Sequence, residues 1–253
     1  LGYKNQVFLN LTGRNDWFST LDPDNNHYFY PSIGMSWVFS DTFKTPDWFT
    51  FGKVRASYAA ASNGTKAYQN LLTYKVDNYQ SNGQPVVTIN NSTVPNKGLK
   101  PVQISEWEIG LNLSFLDNRL SLDAAYYVKT TKDLLYQVTV PALLGFTQAW
   151  GNIGSIRNKG FELELTTQNL TGKLKWTTSL NVSYNKNKVL SLGDDNSTVF
   201  TGYDKTTQVF MVGQPLRSFY MYDAVGVYQT QADLQKYPVM QNTKVGDVRY
   251  RDA

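Results

Sequence analysis

The chain has 253 residues, 14% of them aromatic and only 17% charged, with a formal net charge of +4 and a mean hydropathy of −0.40. It contains no run of the roughly 18 apolar residues that a membrane helix needs, so a membrane span in this chain has to be a barrel strand. The small charge is spread along the chain without a Lys/Arg block, which argues against nucleic acid as a partner, and the absence of cysteine removes disulfides and thiolate chemistry.

In chain order, the sequence opens Leu1-Gly2-Tyr3 with neither Met nor a basic-then-apolar leader, so it reads as a section of a longer protein. A period of two begins at once. Over Tyr3–Gly13, Val7, Leu9 and Leu11 oppose Gln6, Phe8, Asn10 and Thr12, which predicts a strand with two unlike faces. The same pattern predicts strands over Tyr28–Ser40 and Phe49–Ala60. It is clearest over Glu106–Phe115, where Trp107, Ile109, Leu111, Leu113 and Phe115 oppose Glu106, Glu108, Gly110, Asn112 and Ser114. After the turn formers Leu116-Asp117-Asn118-Arg119, alternation resumes with Leu120, Leu122, Ala124, Tyr126 and Val128, predicting a hairpin with one apolar side. Lys159–Thr167 and Lys175–Asn185 follow, and weaker candidates lie at Thr207–Val212 and Leu216–Tyr228. The total is about nine strands, many near the 9–11 residues of a tilted membrane strand.

The links between them alternate in length. Short ones fall at Asp41–Asp47, Leu116–Arg119, Gln168–Gly172 and Gly213–Pro215; long polar ones fall at Arg14–His27, Ala61–Ser105, Thr130–Gly154 and Lys186–Thr206. All long loops then lie at one end, the arrangement of an outer-membrane barrel with short periplasmic turns. A loop as long as Ala61–Ser105 is out of place in a compact soluble domain. Rings gather near predicted strand ends, at Tyr28, Phe29, Tyr30, Trp37, Phe39, Trp48, Phe49, Trp107, Tyr126, Tyr127, Trp176 and Tyr184. They suit interfacial girdles; cross-strand packing in a soluble sheet would use similar residues. The predicted class is therefore all-β: a transmembrane antiparallel β-barrel, of which residues 1–253 form a part.

Catalytic and metal chemistry find little support. His27, the single histidine, sits among Asp22, Asp24, Asn25 and Asn26, which read as a solvated loop of turn formers without ligand spacing. Glu106/Glu108 and Glu162/Glu164 put paired carboxylates on one strand face, a spacing that gives a hydrated polar wall more simply than glycosidase chemistry. Gly151-Asn152-Ile153-Gly154 lacks the strand-to-helix setting of a phosphate loop. The chain is expected not to be an enzyme and to need no cofactor. The candidate substrate-binding residues are instead the rings on the long loops, Trp17, Tyr68, Tyr74, Tyr79, Trp150 and Tyr203, because flat rings stack on the apolar faces of sugars. Loop self-packing is the plain alternative for the same rings.

Ordered motifs then carry a family resemblance. Tyr30-Pro31-Ser32…Trp37, Lys53-Val54-Arg55-Ala56-Ser57-Tyr58…Asn63-Gly64 and Asn96-Lys97-Gly98-Leu99-Lys100-Pro101…Glu108-Ile109-Gly110-Leu111 resemble successive barrel segments of TonB-dependent receptors. Asn118-Arg119-Leu120, Thr131-Lys132-Asp133-Leu134-Leu135, Asn152-Ile153-Gly154-Ser155-Ile156-Arg157-Asn158-Lys159-Gly160-Phe161-Glu162 and Tyr184-Asn185-Lys186-Asn187-Lys188-Val189 are similar to the SusC/RagA branch of Bacteroidetes. Gly213-Gln214-Pro215, Gly226-Val227-Tyr228 and Gly246-Asp247-Val248-Arg249-Tyr250-Arg251-Asp252 match the same branch.

The resemblance implies a Gram-negative outer-membrane location and active import of large oligomers, glycans or peptides. It further implies energy delivered through TonB, a SusD-like surface lipoprotein as partner, and contact with outer-membrane lipids. The plug, the TonB-contacting segment and the closing strands it implies are expected outside residues 1–253, since a barrel of about 22 strands needs more wall than nine strands supply. The competing readings are a passive porin, a siderophore-type receptor, and a soluble all-β sugar-binding module.

Overall fold

The computed structural model describes all residues except Ala142, Leu144, Asp194, Asp195, Ser197, 202–207, Asp252 and Ala253. The chain starts with a hairpin of β1 (Gly2–Tyr3) and β2 (Val7–Trp17), continues through β3 (His27–Val38) and a 3-10 turn at Phe39–Asp41, and rises again as β4 (Phe49–Asn63). It then makes the hairpin β5 (Tyr74–Ser81) and β6 (Gln84–Ile89), then β7 (Thr93–Val94), before β8 (Val102–Phe115) and β9 (Leu120–Lys132). Short strands β10 (Leu135–Thr139) and β11 (Gln148–Asn152) precede the two longest, β12 (Gly154–Thr171) and β13 (Lys175–Leu192). The remainder holds β14 (Val199–Thr201), β15 (Gln208–Phe210), β16 (Ser218–Phe219), β17 (Ala224–Val227), the short helix α1 (Gln231–Lys236) and β18 (Val248–Tyr250).

One antiparallel sheet, in the order β1-β2-β3-β4-β8-β9-β12-β13, forms the body of the molecule. Its register explains the alternation. Val7, Trp37, Val54, Leu111, Ala124, Leu163 and Val182 are successive cross-strand partners over seven strands. The neighbouring row is Lys53, Asn112, Asp123, Glu164 and Asn181. One face is therefore a continuous apolar surface and the other a continuous polar one, because side chains in a strand point alternately to opposite faces.

The apolar face is uncovered: Trp107 is 63% exposed, Ile109 55%, Leu180 51% and Tyr184 55%. A soluble sandwich would bury these residues against a second sheet, whereas a surface this large and apolar needs an apolar medium. Rings close the band at both ends. Trp37, Phe39, Phe43, Trp48, Phe49 and Phe115 pack together beside the short turns. Tyr58–Trp107 and Phe161–Tyr184 form ring pairs with centroids 4.6 Å and 5.9 Å apart toward the other end. At roughly 3.3 Å per residue the stretch from Trp107 to Phe115 spans about 26 Å along the strand, close to the height of a lipid-facing band.

Three turns at the short end are tight. Leu116, Asp117 and Asn118 take left-handed backbone angles between β8 and β9, and Arg119 donates to the carbonyls of Gln168 and Asn169 at 3.2–3.3 Å, tying this turn to the next. At the opposite end, β4, β9, β12 and β13 all run beyond their predicted limits. The weaker candidates do not join the wall: Thr207–Val212 yields only β15, with Thr207 outside the described residues, and Leu216–Tyr228 yields β16 and β17 in separate small sheets. Gly213, at φ +90, and Pro215 interrupt the extended run there. The wall thus has seven long strands and one two-residue edge strand, fewer than the nine expected. Among the described residues β13 ladders with β12 on one side, while on the other Val189 exchanges backbone hydrogen bonds with Gly213 and Gln214, which leaves the sheet open at this edge.

Candidate functional site

The polar face is organised around Arg55 on β4. Its Nε donates to Glu108 Oε1 at 3.2 Å, Nη1 to Asn112 Oδ1 at 2.8 Å and Nη2 to Asp123 Oδ1 at 3.0 Å, while Asn112 Nδ2 donates to the second oxygen of Asp123. Four side chains from three strands thus form one network. Nearby, Lys129 pairs with Glu106 at 3.4 Å. These groups are part-exposed, so each pair contributes little by itself, of order 0–1 kcal/mol. A groove of about 340 Å³ continues from Arg55 past Asp123 to Glu162, Glu164, Asn181 and Ser183. Among the described residues no cation lies within ion-pair distance of Glu162 or Glu164. The carboxylates singled out in the sequence line a wet wall, with Glu106 and Glu108 neutralised by cross-strand cations.

The sequence gives one sign of this network that is easy to overlook. Gly110 interrupts an otherwise well-filled strand, and an isolated glycine in a strand pattern marks a close approach. A Cβ on Gly110 would lie 2.4 Å from the guanidinium carbon of Arg55.

The long loops gather at the other end as a crown. β7 pairs in parallel with β11, and β11 antiparallel with β10, so the loops after β4 and after β9 share one three-stranded sheet. Asn96 reinforces the junction, donating its Nδ2 to the Trp150 carbonyl at 3.0 Å and its backbone N–H to Gln69 at 3.1 Å. Asn152 closes it, accepting from the Lys100 N–H at 2.8 Å and donating to the carbonyls of Lys100 and Asp133. Thr65 Oγ1 reaches the Thr20 carbonyl at 3.2 Å, linking the β2–β3 loop to the same crown. Leu99 and Leu21 are buried there. Behind it, Val189, Leu192 and Phe210 form a small core with Tyr136 and Val199; burial raises the Tyr136 hydroxyl above its ordinary value.

Five of the six candidate rings belong to this end, at separate places. Trp17 ends β2 opposite His27 and is 67% exposed; Tyr68 in the loop after β4, and Tyr74 and Tyr79 on β5, are exposed to a similar degree. Trp150 lies half-buried in β11 with its carbonyl held by Asn96. Tyr203 lies outside the described residues. On the β5–β6 hairpin the Thr88 hydroxyl, with Lys75, holds the Asp77 carboxyl below the usual carboxylate range. Among the described residues no group of three or more His, Asp or Glu side chains is placed to hold a metal ion.

A sheet with one uncovered apolar face, a hydrated opposite face and all its long loops at one end defines the wall of an outer-membrane β-barrel. Comparison with known proteins specifies it further: residues 1–252 match the family described as TonB dependent receptor-like, beta-barrel. The chain belongs to this family of outer-membrane receptors and transporters, which are not enzymes. It is 32% identical to the TonB-dependent receptor P26 of Formosa agariphila over 99% of this chain and 26% of that protein. It is 27% identical to the TonB-dependent receptor SusC of Bacteroides thetaiotaomicron over 87% of this chain and 24% of that one. In three dimensions it superposes on the RagAB peptide transporter with a TM-score of 0.81 at 26% identity, covering 89% of this chain and 25% of the other. The chain therefore spans about a quarter of the length of the relatives it matches.

Proposed function

We propose that this chain supplies a section of wall and outer crown to a TonB-dependent importer of large oligomeric nutrients, glycans or peptides, in the outer membrane of a Bacteroidetes bacterium. The observation that carries the reading is the pairing of a polar face across β4–β13 with a crown of linked loops at one end: substrate is captured above and passes along a wet surface. Trp17, Tyr68, Tyr74, Tyr79 and Trp150 contribute stacking contacts in that crown, and a SusD-like lipoprotein covers it from outside. Two named relatives support this assignment, SusC and the RagAB peptide transporter.

Barrel strands offer no device for drawing on an energy source. Coupling therefore lies in the plug and the TonB-contacting segment, outside the wall described here. Deleting the TonB-contacting segment from the full-length protein is expected to abolish growth on the imported oligomer while leaving outer-membrane assembly intact. Growth that persisted after the deletion would transfer the assignment to a passive porin.

A further inference from the structure

Beyond β13 and β16, residues 220–251 fold into a small unit of their own. β17 and β18 form a two-stranded ladder, and α1 lies in the connection between them, its C-cap Tyr237 meeting Arg249 of β18. The unit is fixed from within. Thr230 and Asp233 cap α1 reciprocally, the Tyr228 hydroxyl donates to the Pro238 carbonyl, and Arg249 lies 3.8 Å from the centroid of the Tyr237 ring. The Phe200–Tyr220 ring contact, at 5.4 Å, joins it to the strands at the loop end of β13.

This unit carries a cleft of about 630 Å³, within the size range of small-ligand sites. Two of its walls are rings: Tyr222, 72% exposed, and Tyr250, with centroids 5.5 Å apart and planes at 51°. A third side is the segment Val239–Asn242, which offers the neutral amides of Gln241 and Asn242. Two ionic side chains lining the cleft have partners within the unit. Arg251 pairs with Asp223 at 3.3 Å, and Asp247 accepts the Lys244 N–H at 2.7 Å.

We propose that the cleft between Tyr222, Tyr250, Gln241 and Asn242 is a subsite for one or two units of a neutral saccharide. The inference rests on the importer reading and narrows its substrate class. Exposed ring faces complement the C–H faces of a pyranose, and side-chain amides can both donate to and accept from adjacent hydroxyls. Because Arg251, the cation lining the cleft, is paired with Asp223, a peptide carboxylate is disfavoured as the preferred occupant.

The test is calorimetric titration of the full-length protein, purified with its surface partner, against maltoheptaose, laminarihexaose, a mannan oligosaccharide and a tryptic peptide pool. At least one of the three oligosaccharides is expected to bind, with Tyr222→Ala weakening it about tenfold and Tyr222→Phe leaving it near wild type, since the ring and not the hydroxyl makes the contact. Tyr222→Ala alters an exposed side chain, so intact assembly is checked by heat-modifiable gel mobility. Binding of peptides alone, binding of no oligosaccharide, or equal affinity of Tyr222→Ala and wild type would each overturn the subsite. None of these results touches the importer reading, which stands or falls on growth after deletion of the TonB-contacting segment.

Discussion

The guanidinium of Arg55 lies over Gly110, its partner across the β4–β8 ladder, and the missing side chain is what lets it reach Glu108, Asn112 and Asp123 together. Gly160 makes a second clearing of another kind. A Cβ there would meet the Tyr184 carbonyl oxygen at 2.1 Å and the Tyr127 ring at 3.0 Å. A guanidinium on a flexible stem can move aside, whereas a backbone carbonyl cannot without disturbing the ladder.

Gly160→Ala is therefore expected to cost about 1–3 kcal/mol, the range for overpacking, and Gly110→Ala clearly less. Urea titration of the folded full-length barrel in detergent reads both. A larger loss for Gly110→Ala would show that the Arg55 network matters more than the backbone ladder.

Leu111 and Leu163 share the apolar row with Ala124 between them, so an arginine at either position enters lipid. Near the bilayer midplane Leu111→Arg should cost about 2–4 kcal/mol, and Asn112→Arg, on the opposite face, far less. Spin labels at 111 and 163 should be quenched by oxygen and shielded from a water-soluble relaxation agent; the reverse pattern would place lipid on the wrong face.

In the crown, alanine at Trp17, Tyr79 or Trp150 is expected to weaken oligomer binding by no more than about 1 kcal/mol each, since the rings occupy separate places and act as independent stacking contacts. Growth on the oligomer should persist in every single variant. Loss of growth from one of them would identify a single dominant site instead.

The cap of α1 gives a pH-dependent signal. Asp233 accepts the N–H groups of Thr230 and Gln229, both at 2.9 Å, and the Thr230 bond foremost holds its carboxyl below the usual range. A carboxylate depressed in the folded state stabilises the fold above its unfolded pKa, and that contribution disappears as pH falls through the folded value. Hydrogen exchange over residues 228–237, corrected for intrinsic rates, should stay protected at neutral pH and loosen on acidification. Thr230→Ala, worth about 1 kcal/mol at a helix N-cap, should loosen it already at neutral pH.

The wall was legible in the sequence wherever its two faces meet different solvents. Along β8, Trp107 to Phe115 alternate with Glu106 to Ser114 because lipid lies on one side and water on the other. The signal fades toward the crown, where both faces are wet. Lys186-Asn187-Lys188 has no apolar side, yet β13 continues through it, held there by the ladder to β12, to Val189 and Leu192, which are buried against Phe210. For the same reason the loop sheet of β7, β10 and β11 left no periodic trace. The Arg55 network joins residues as many as 68 apart in sequence, and only the strand order brings them together. The loop rings could be named from composition, but Asn96, which fixes the strand carrying Trp150, could not.

The parallel pairing of Thr93–Val94 with Gln148–Ala149 has a further consequence. Two loops that share a sheet have shared backbone hydrogen bonds to keep, so neither can be exchanged for the loop of a relative without leaving the other with a torn edge. Chimeras that alter specificity by grafting should succeed when residues 64–101 and 133–153 travel together and misassemble when either travels alone, which makes the pair, and not the single loop, the unit by which this surface can diversify.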